Sequence, residues 1–224
     1  MILAGAVGAQ TFEAASVKVS NASASSWDWD SNEVTTVVSN ATLRILIQNA
    51  FDVRSFSLAG PDWLDSSRFD ISAKMLPGST GAERNLMMQA LLKERFGLAV
   101  HHESKSLPGY ALVVAKNGFK LNAVEDAGGH HSSGGHGRLS AQRMSMERLA
   151  DHLARQLNQP VSDMTDIRGV FNIELSYKES DNQDDSEPSI FTAIQEQLGL
   201  RLEARKVPVD VVVVDHVERI PAEN

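Results

Sequence analysis

His130, His131 and His136 gather in the glycine-rich stretch Asp126-Ala-Gly-Gly-His-His-Ser-Ser-Gly-Gly-His-Gly-Arg138. Imidazole is the side chain most used by transition metals, so these three are the first place to look for chemistry. Their spacing matches no recognised ligand set, and a run of Gly and Ser offers nothing to hold the rings, which makes a solvated loop the expectation. His101 and His102 are adjacent. In a strand they must point to opposite faces, so at most one serves any given site. His152, beside Asp151 on a helical stretch, reads as a surface residue.

Hard cations are better provided for. Trp27-Asp-Trp-Asp-Ser-Asn-Glu33 places oxygen-bearing side chains at alternate positions, as at the opening of a calcium loop. The glycine expected next is Glu33 and the closing glutamate is Ser39, so the segment is not an EF-hand. A second acidic group comprises Glu179, Asp181, Asp184, Asp185 and Glu187. Asp28, Asp30, Asn32, Asp181, Asp184 and Asp185 are therefore the candidate metal ligands, for calcium or magnesium in preference to zinc, with plain solvated acidic loops as the competing account. Trp63, in Gly60-Pro-Asp-Trp-Leu-Asp65, is an amphipathic indole that could line a cleft as a substrate-binding residue or cover the core beneath its turn. Asp62 and Asp65 beside it could act as caps or as general bases.

The standard signatures of catalysis are missing: the sequence holds no Gly-x-Ser-x-Gly elbow, no His-Glu-x-x-His pair and no glycine-rich phosphate cradle. No catalytic residue is thus named by motif, although catalytic groups can converge from distant parts of a chain. The absence of cysteine excludes disulfides, zinc fingers, iron–sulfur sites and thiol nucleophiles. The net charge of −8, with no basic stripe, disfavours nucleic acid as a partner, and no apolar run approaches the roughly 18 residues of a spanning helix. The opening Met1-Ile-Leu-Ala-Gly-Ala-Val-Gly-Ala-Gln10 resembles the tail of a secretory signal, so residues 1–10 read as a signal remnant and the protein as secreted or periplasmic.

The elements that must position these residues read as two similar halves. Arg68-Phe-Asp-Ile71 matches Val170-Phe-Asn-Ile173 and Phe96-Gly-Leu98 matches Leu198-Gly-Leu200, both at a spacing of 102 residues. Leu43, Leu46, Ile47 and Phe51 share a helical face, as do Met146, Leu149, Leu153 and Leu157, with Asn40 and Ser145 as expected N-caps. Phe69, Ile71 and Ala73 alternate as in a strand, as do Phe171, Ile173 and Leu175. A second helix in each half ends at Gly97 or Gly199, and two strands follow, joined by a turn at Pro108-Gly109 in the first half and at Pro208 in the second. The expected fold is α+β, two repeats of helix–strand–helix–strand–strand over 11–125 and 141–224 with a Gly/His-rich linker at 126–140 and an extra N-terminal strand.

Thr42-Leu-Arg, Gly60-Pro-Asp-Trp-Leu-Asp-Ser-Ser-Arg-Phe-Asp-Ile71, Leu91-Leu-Lys-Glu-Arg-Phe96, Ser189-Ile-Phe-Thr-Ala-Ile-Gln-Glu-Gln-Leu-Gly199 and Val214-Asp-His-Val-Glu-Arg219 together resemble a family of secreted proteins of unknown function from soil acidobacteria. The resemblance runs from about Phe12 to the C-terminus. It implies export and, through a metagenome-derived member described as a calcium-dependent hydrolase, the opening of acyl-homoserine lactones, which quenches quorum sensing. Calcium as cofactor and a small-molecule lactone as substrate are implied by the resemblance alone. A noncatalytic secreted module that binds peptides or other domains by strand addition is the competing class.

Overall fold

Apolar residues alternating with polar ones recur along the chain, and among the described residues its strands outweigh its helices. The structure, a computed structural model, describes residues 11–22, 26–129, 131–135, 137–178 and 187–223; the expected signal remnant at 1–10 lies outside them. Two compact units emerge, one holding the chain up to Ser104 and again from Asp210, the other Lys105–Val209.

In the first unit, β1 (Ala14–Val19), β2 (Asp28–Ser31), β3 (Thr35–Thr42) and β5 (Arg68–Lys74) form an antiparallel sheet in the order β1-β5-β3-β2, and β4 (Leu58–Ala59) intervenes in the chain. Its buried face presents Val17, Val38, Phe69 and Ile71 to helices α1 (Leu43–Phe51) and α2 (Gly81–Phe96). Those helices answer with Leu43, Leu46 and Ile47 from α1 and Met88, Leu92 and Phe96 from α2, and the Phe69 and Phe96 rings meet edge to face at 4.9 Å. The N-cap of α1 is Thr42, whose hydroxyl accepts from the Ile45 N–H, and not the expected Asn40. Asn40 sits two residues earlier at a bulge in β3, with φ of 57°, and donates its backbone N–H to Asp70.

The second unit carries β7 (Ala123–Val124), β8 (His131–Gly135), β9 (Arg138–Met144) and β11 (Val170–Ser176) in the order β7-β11-β9-β8. Helix α3 (Met146–Leu157), capped by Ser145 as expected, packs Met146, Leu149 and Leu153 against Leu139, Ala141, Phe171 and Ile173. The short helix α4 (Ile190–Ala193) runs on into a π-helical turn, Ile194–Leu198, which ends at left-handed Gly199. A Cβ at Gly199 would collide with the carbonyl oxygen of Gly118, so this cap admits only glycine.

Two long strands complete the chain: β6 (Ala99–Val114) and β12 (Leu200–His216). They are neighbours in a third sheet, each running from one unit into the other. In the first unit β4 pairs in parallel with β12 at Val212 and Val213, and in the second β10 (Val161–Asp163) pairs in parallel with β6 at Tyr110–Leu112.

The expected fold class is overturned. Strand accounts for 42% and helix for 26% of the described residues, so their architecture is mostly β, in three four-stranded sheets. The helix–strand–helix–strand–strand unit is not formed, because the two closing strands of each half are one continuous strand and no hairpin turns at Pro108-Gly109 or Pro208. Both prolines are exposed within strands, at positions where a missing N–H is tolerated. Gly109 is required by close approach: a Cβ there would overlap the Pro160 carbonyl oxygen and lie 3.1 Å from Val207 Cγ2. The stretch expected as a linker holds β8 and the start of β9, and the division between units falls elsewhere, inside β6 and β12.

Replacing Gly109 by Ala should therefore cost about 3 kcal/mol in urea unfolding, the upper end of the usual range for overpacking. Gly78→Ala, at φ of 83° with open space around it, should cost only about 1 kcal/mol. Equal shifts of the two midpoints would contradict the close-approach account.

Candidate functional site

Val100 on β6 and Val212 and Val214 on β12 pack into the core of the first unit, and that alternation fixes where their polar neighbours point. His101 and His102 fall on opposite faces of β6, as expected of adjacent strand residues. Each meets an aspartate of β12: His101 Nδ1 lies 2.8 Å from Asp215 Oδ1, and His102 Nδ1 lies 2.9 Å from Asp210 Oδ2. Both rings are about half exposed, at 51% and 56%. Among the described residues neither Nε2 has a hydrogen-bond partner.

Ion pairs this exposed contribute roughly 0–1 kcal/mol at most, so they do little to hold the strands together. Their effect is orientational. An Nδ1–H donated to a carboxylate fixes the tautomer and leaves the Nε2 lone pair directed outward, able to accept a proton from water, while the carboxylate steadies the imidazolium that results. Asp215, at 46% side-chain exposure against 70% for Asp210, makes the better shielded and shorter of the two contacts. A third histidine, His216, uses its other nitrogen: Nε2 lies 3.0 Å from Glu218 Oε1. The adjacency of His101 and His102 is visible in the sequence, and so are two aspartates bracketing the valine run Val211–Val214, but nothing local links residues more than 100 positions apart.

The other expected site residues are dispersed. Asp28 and Asp30 are exposed on edge strand β2. Asn32 belongs to the turn that follows, its Oδ1 accepting from the backbone N–H groups of Val34 and Thr35 at 3.0 and 2.9 Å. The oxygen that would have served a cation is committed to the hairpin, and Asp28–Asn32 is a strand and its turn, without the curl of a calcium loop. Asp181, Asp184 and Asp185 lie outside the described residues, as do His130 and His136, while His131 is exposed in β8. Among the described residues no group of three or more histidine or carboxylate side chains gathers as a metal site would require.

Trp63 is half-buried and packs against the core of the first unit, with the Arg219 guanidinium 4.9 Å from its ring centroid, so it is an aromatic cover with a cation stacked on it. Asp65 is taken by Arg44, whose Nε donates to both carboxylate oxygens at 2.9 and 2.8 Å. No helix among the described residues is long and apolar enough to cross a membrane.

His152 departs from its expected surface position. It is 92% buried on the inner flank of α3, close to Gly134 of β8, and its Nε2 has no hydrogen-bond partner among the described residues. Burial, reinforced by the charge of Arg155, lowers its pKa from the ordinary 6.5, so folding favours the neutral ring. The unfolded chain binds that proton more readily, and stability contributed by neutral His152 is complete above pH 6.5 and is lost as the pH falls towards the lowered value. Thermal midpoints of the protein should accordingly drop on acidification below pH 6.5, and His152→Leu should flatten that part of the curve. An unchanged acid limb in the variant would contradict the assignment.

No curated protein and no solved structure matches the chain. A family model does match, across residues 44–217, a span that takes in all of α1 but Leu43, together with Trp63, both histidine–aspartate pairs and α3. By that match the chain belongs to the DUF3738 family, proteins of unknown function.

Proposed function

We propose that this protein is an exported hydrolase that opens acyl-homoserine lactones, with His101 as general base and Asp215 as the residue that orients it. The observation that carries the reading is the 2.8 Å contact between His101 Nδ1 and Asp215, which leaves Nε2 outward-facing on a half-exposed ring. The substrate class and the export come from the resemblance described above, the latter together with the apolar opening run.

In this mechanism a water held by His101 Nε2 loses a proton to the ring as its oxygen attacks the lactone carbonyl carbon. The tetrahedral intermediate collapses by breaking the ring C–O bond, and the imidazolium returns the proton to the departing alkoxide, giving the open hydroxy acid and the neutral ring. Asp215 balances the imidazolium charge during the interval. Calcium belongs to the reading through the resemblance alone. Asn32 is committed to its turn and Asp28 and Asp30 stand exposed along a strand, so these residues do not fit the ion and no step is routed through it.

A binding module built for strand addition is the alternative, and one observation favours it: among the described residues β2 stands at the end of its sheet, the position at which an added strand would pair.

The test is chromatographic detection of the ring-opened acid from a long-chain acyl-homoserine lactone, with excess calcium and then with a chelator. Turnover proportional to protein, reduced roughly 100-fold or more by His101→Gln and in the same direction by Asp215→Asn, is the expected result. His102→Gln should leave most of the rate. Absence of turnover under both conditions would overturn the lactonase reading in favour of the binding module, and chelator sensitivity would restore calcium to the mechanism.

A further inference from the structure

Arg143 occupies a backbone conformation that suits asparagine or glycine, and the first unit shows the comparison. There the β3 bulge places Asn40 at φ of 57°, its N–H donated to Asp70 Oδ1 on β5 at 2.7 Å. In the second unit the same device recurs between β9 and β11: Arg143 has φ of 54° and donates its N–H to Asn172 Oδ1 at 3.2 Å. Asparagine is one of the few side chains that tolerate the left-handed region, whereas arginine has no local compensation there. The backbone thus gives no reason for arginine at this position, and the reason must lie in its side chain.

That side chain is held by one contact, Nε donating to the Gly129 carbonyl at 2.8 Å, which aims the guanidinium while leaving its two terminal nitrogens without partners among the described residues. It lines a recess of about 210 Å³ together with Asp126, Gly129, Ser145, Arg148 and Val170. Ser145 Oγ accepts the Arg148 N–H at 3.3 Å, so its own proton is available to a guest. Asp126 is the one carboxylate on the wall, its Oδ1 accepting from Gly128 N–H at 3.3 Å. The lining thus brings two guanidinium groups and one carboxylate together in a chain of net charge −8.

The geometry points to a binding site for a small oxyanion, a carboxylate or a phosphate, seated on the free fork of Arg143 and flanked by Arg148 and the Ser145 hydroxyl. A planar fork with two parallel N–H groups is the donor arrangement that matches either anion in a bidentate fashion. The site stands independently of the hydrolase reading, since it uses none of the residues assigned to that reaction.

Inorganic phosphate and acetate, titrated separately into 15N-labelled protein, test it through the arginine Nε–H resonances. Saturable shifts of the Arg143 resonance with at least one of the two anions are expected, and the tighter binder identifies the class. Arg143→Asn, which supplies the residue found at the equivalent bulge, should fold with unchanged or higher stability and bind at least roughly tenfold more weakly, read from the remaining resonances. Arg148→Gln should weaken binding in the same direction and serves if the first variant proves unstable. Absence of a saturable shift with either anion, or equal affinity in the variants, would overturn the proposal.

Discussion

The unbroken run of β6 and β12 determines where the polar groups of the first unit meet. A strand alternates its side chains between two faces, so once Val100, Val212 and Val214 are drawn into the core, the faces of His101, His102, Asp210 and Asp215 follow without further choice. A break at Pro108-Gly109 or at Pro208 would fold each strand back on its own neighbour and lose the pairing of β6 with β12 that sets the histidines against the aspartates. The two prolines do not break them because both are exposed, and the glycine does not because it answers the approach of Pro160, with no turn to make.

Burial governs the same units in a second way, by deciding which polar groups depend on geometry and which on solvent. The histidine–aspartate pairs are half exposed and stabilise little, so their consequence is the orientation of the rings. His152 is the reverse case: its ring is buried, with a nitrogen that has no partner among the described residues, and it weighs on stability as soon as it takes a proton. One residue type thus serves two physical roles, separated by accessibility alone.

Much of the local structure was legible in the residues themselves. Ser145 caps α3, Gly97 and Gly199 close their helices in the left-handed region, and the alternations Phe69-Ile71-Ala73 and Phe171-Ile173-Leu175 are buried as their period demands. Strands without apolar alternation were not legible. His131-Ser-Ser-Gly-Gly135 is exposed along its whole length and is a strand only because β9 offers hydrogen bonds, and Asp28–Ser31 mimics a cation loop because an exposed strand edge and a calcium loop both favour alternate polar residues. His152 sits three positions after Leu149, on the flank of the buried stripe, so helical arithmetic contained its burial although its polar type argued otherwise. The His101–Asp215 and His102–Asp210 contacts required tertiary pairing across more than 100 residues, which no spacing rule supplies.

The most direct test of this account is the protonation site of the two exposed rings. Two-bond 1H–15N correlation spectra of 15N-histidine-labelled protein, recorded above the titration range, distinguish the two neutral tautomers residue by residue. If β12 holds its aspartates against β6 as described, His101 and His102 carry their proton on Nδ1 and present a bare Nε2, and His101 loses that signature in Asp215→Asn. Protonation of both rings on Nε2 would show that the carboxylates do not orient them, and would remove the general base on which the proposed hydrolysis rests.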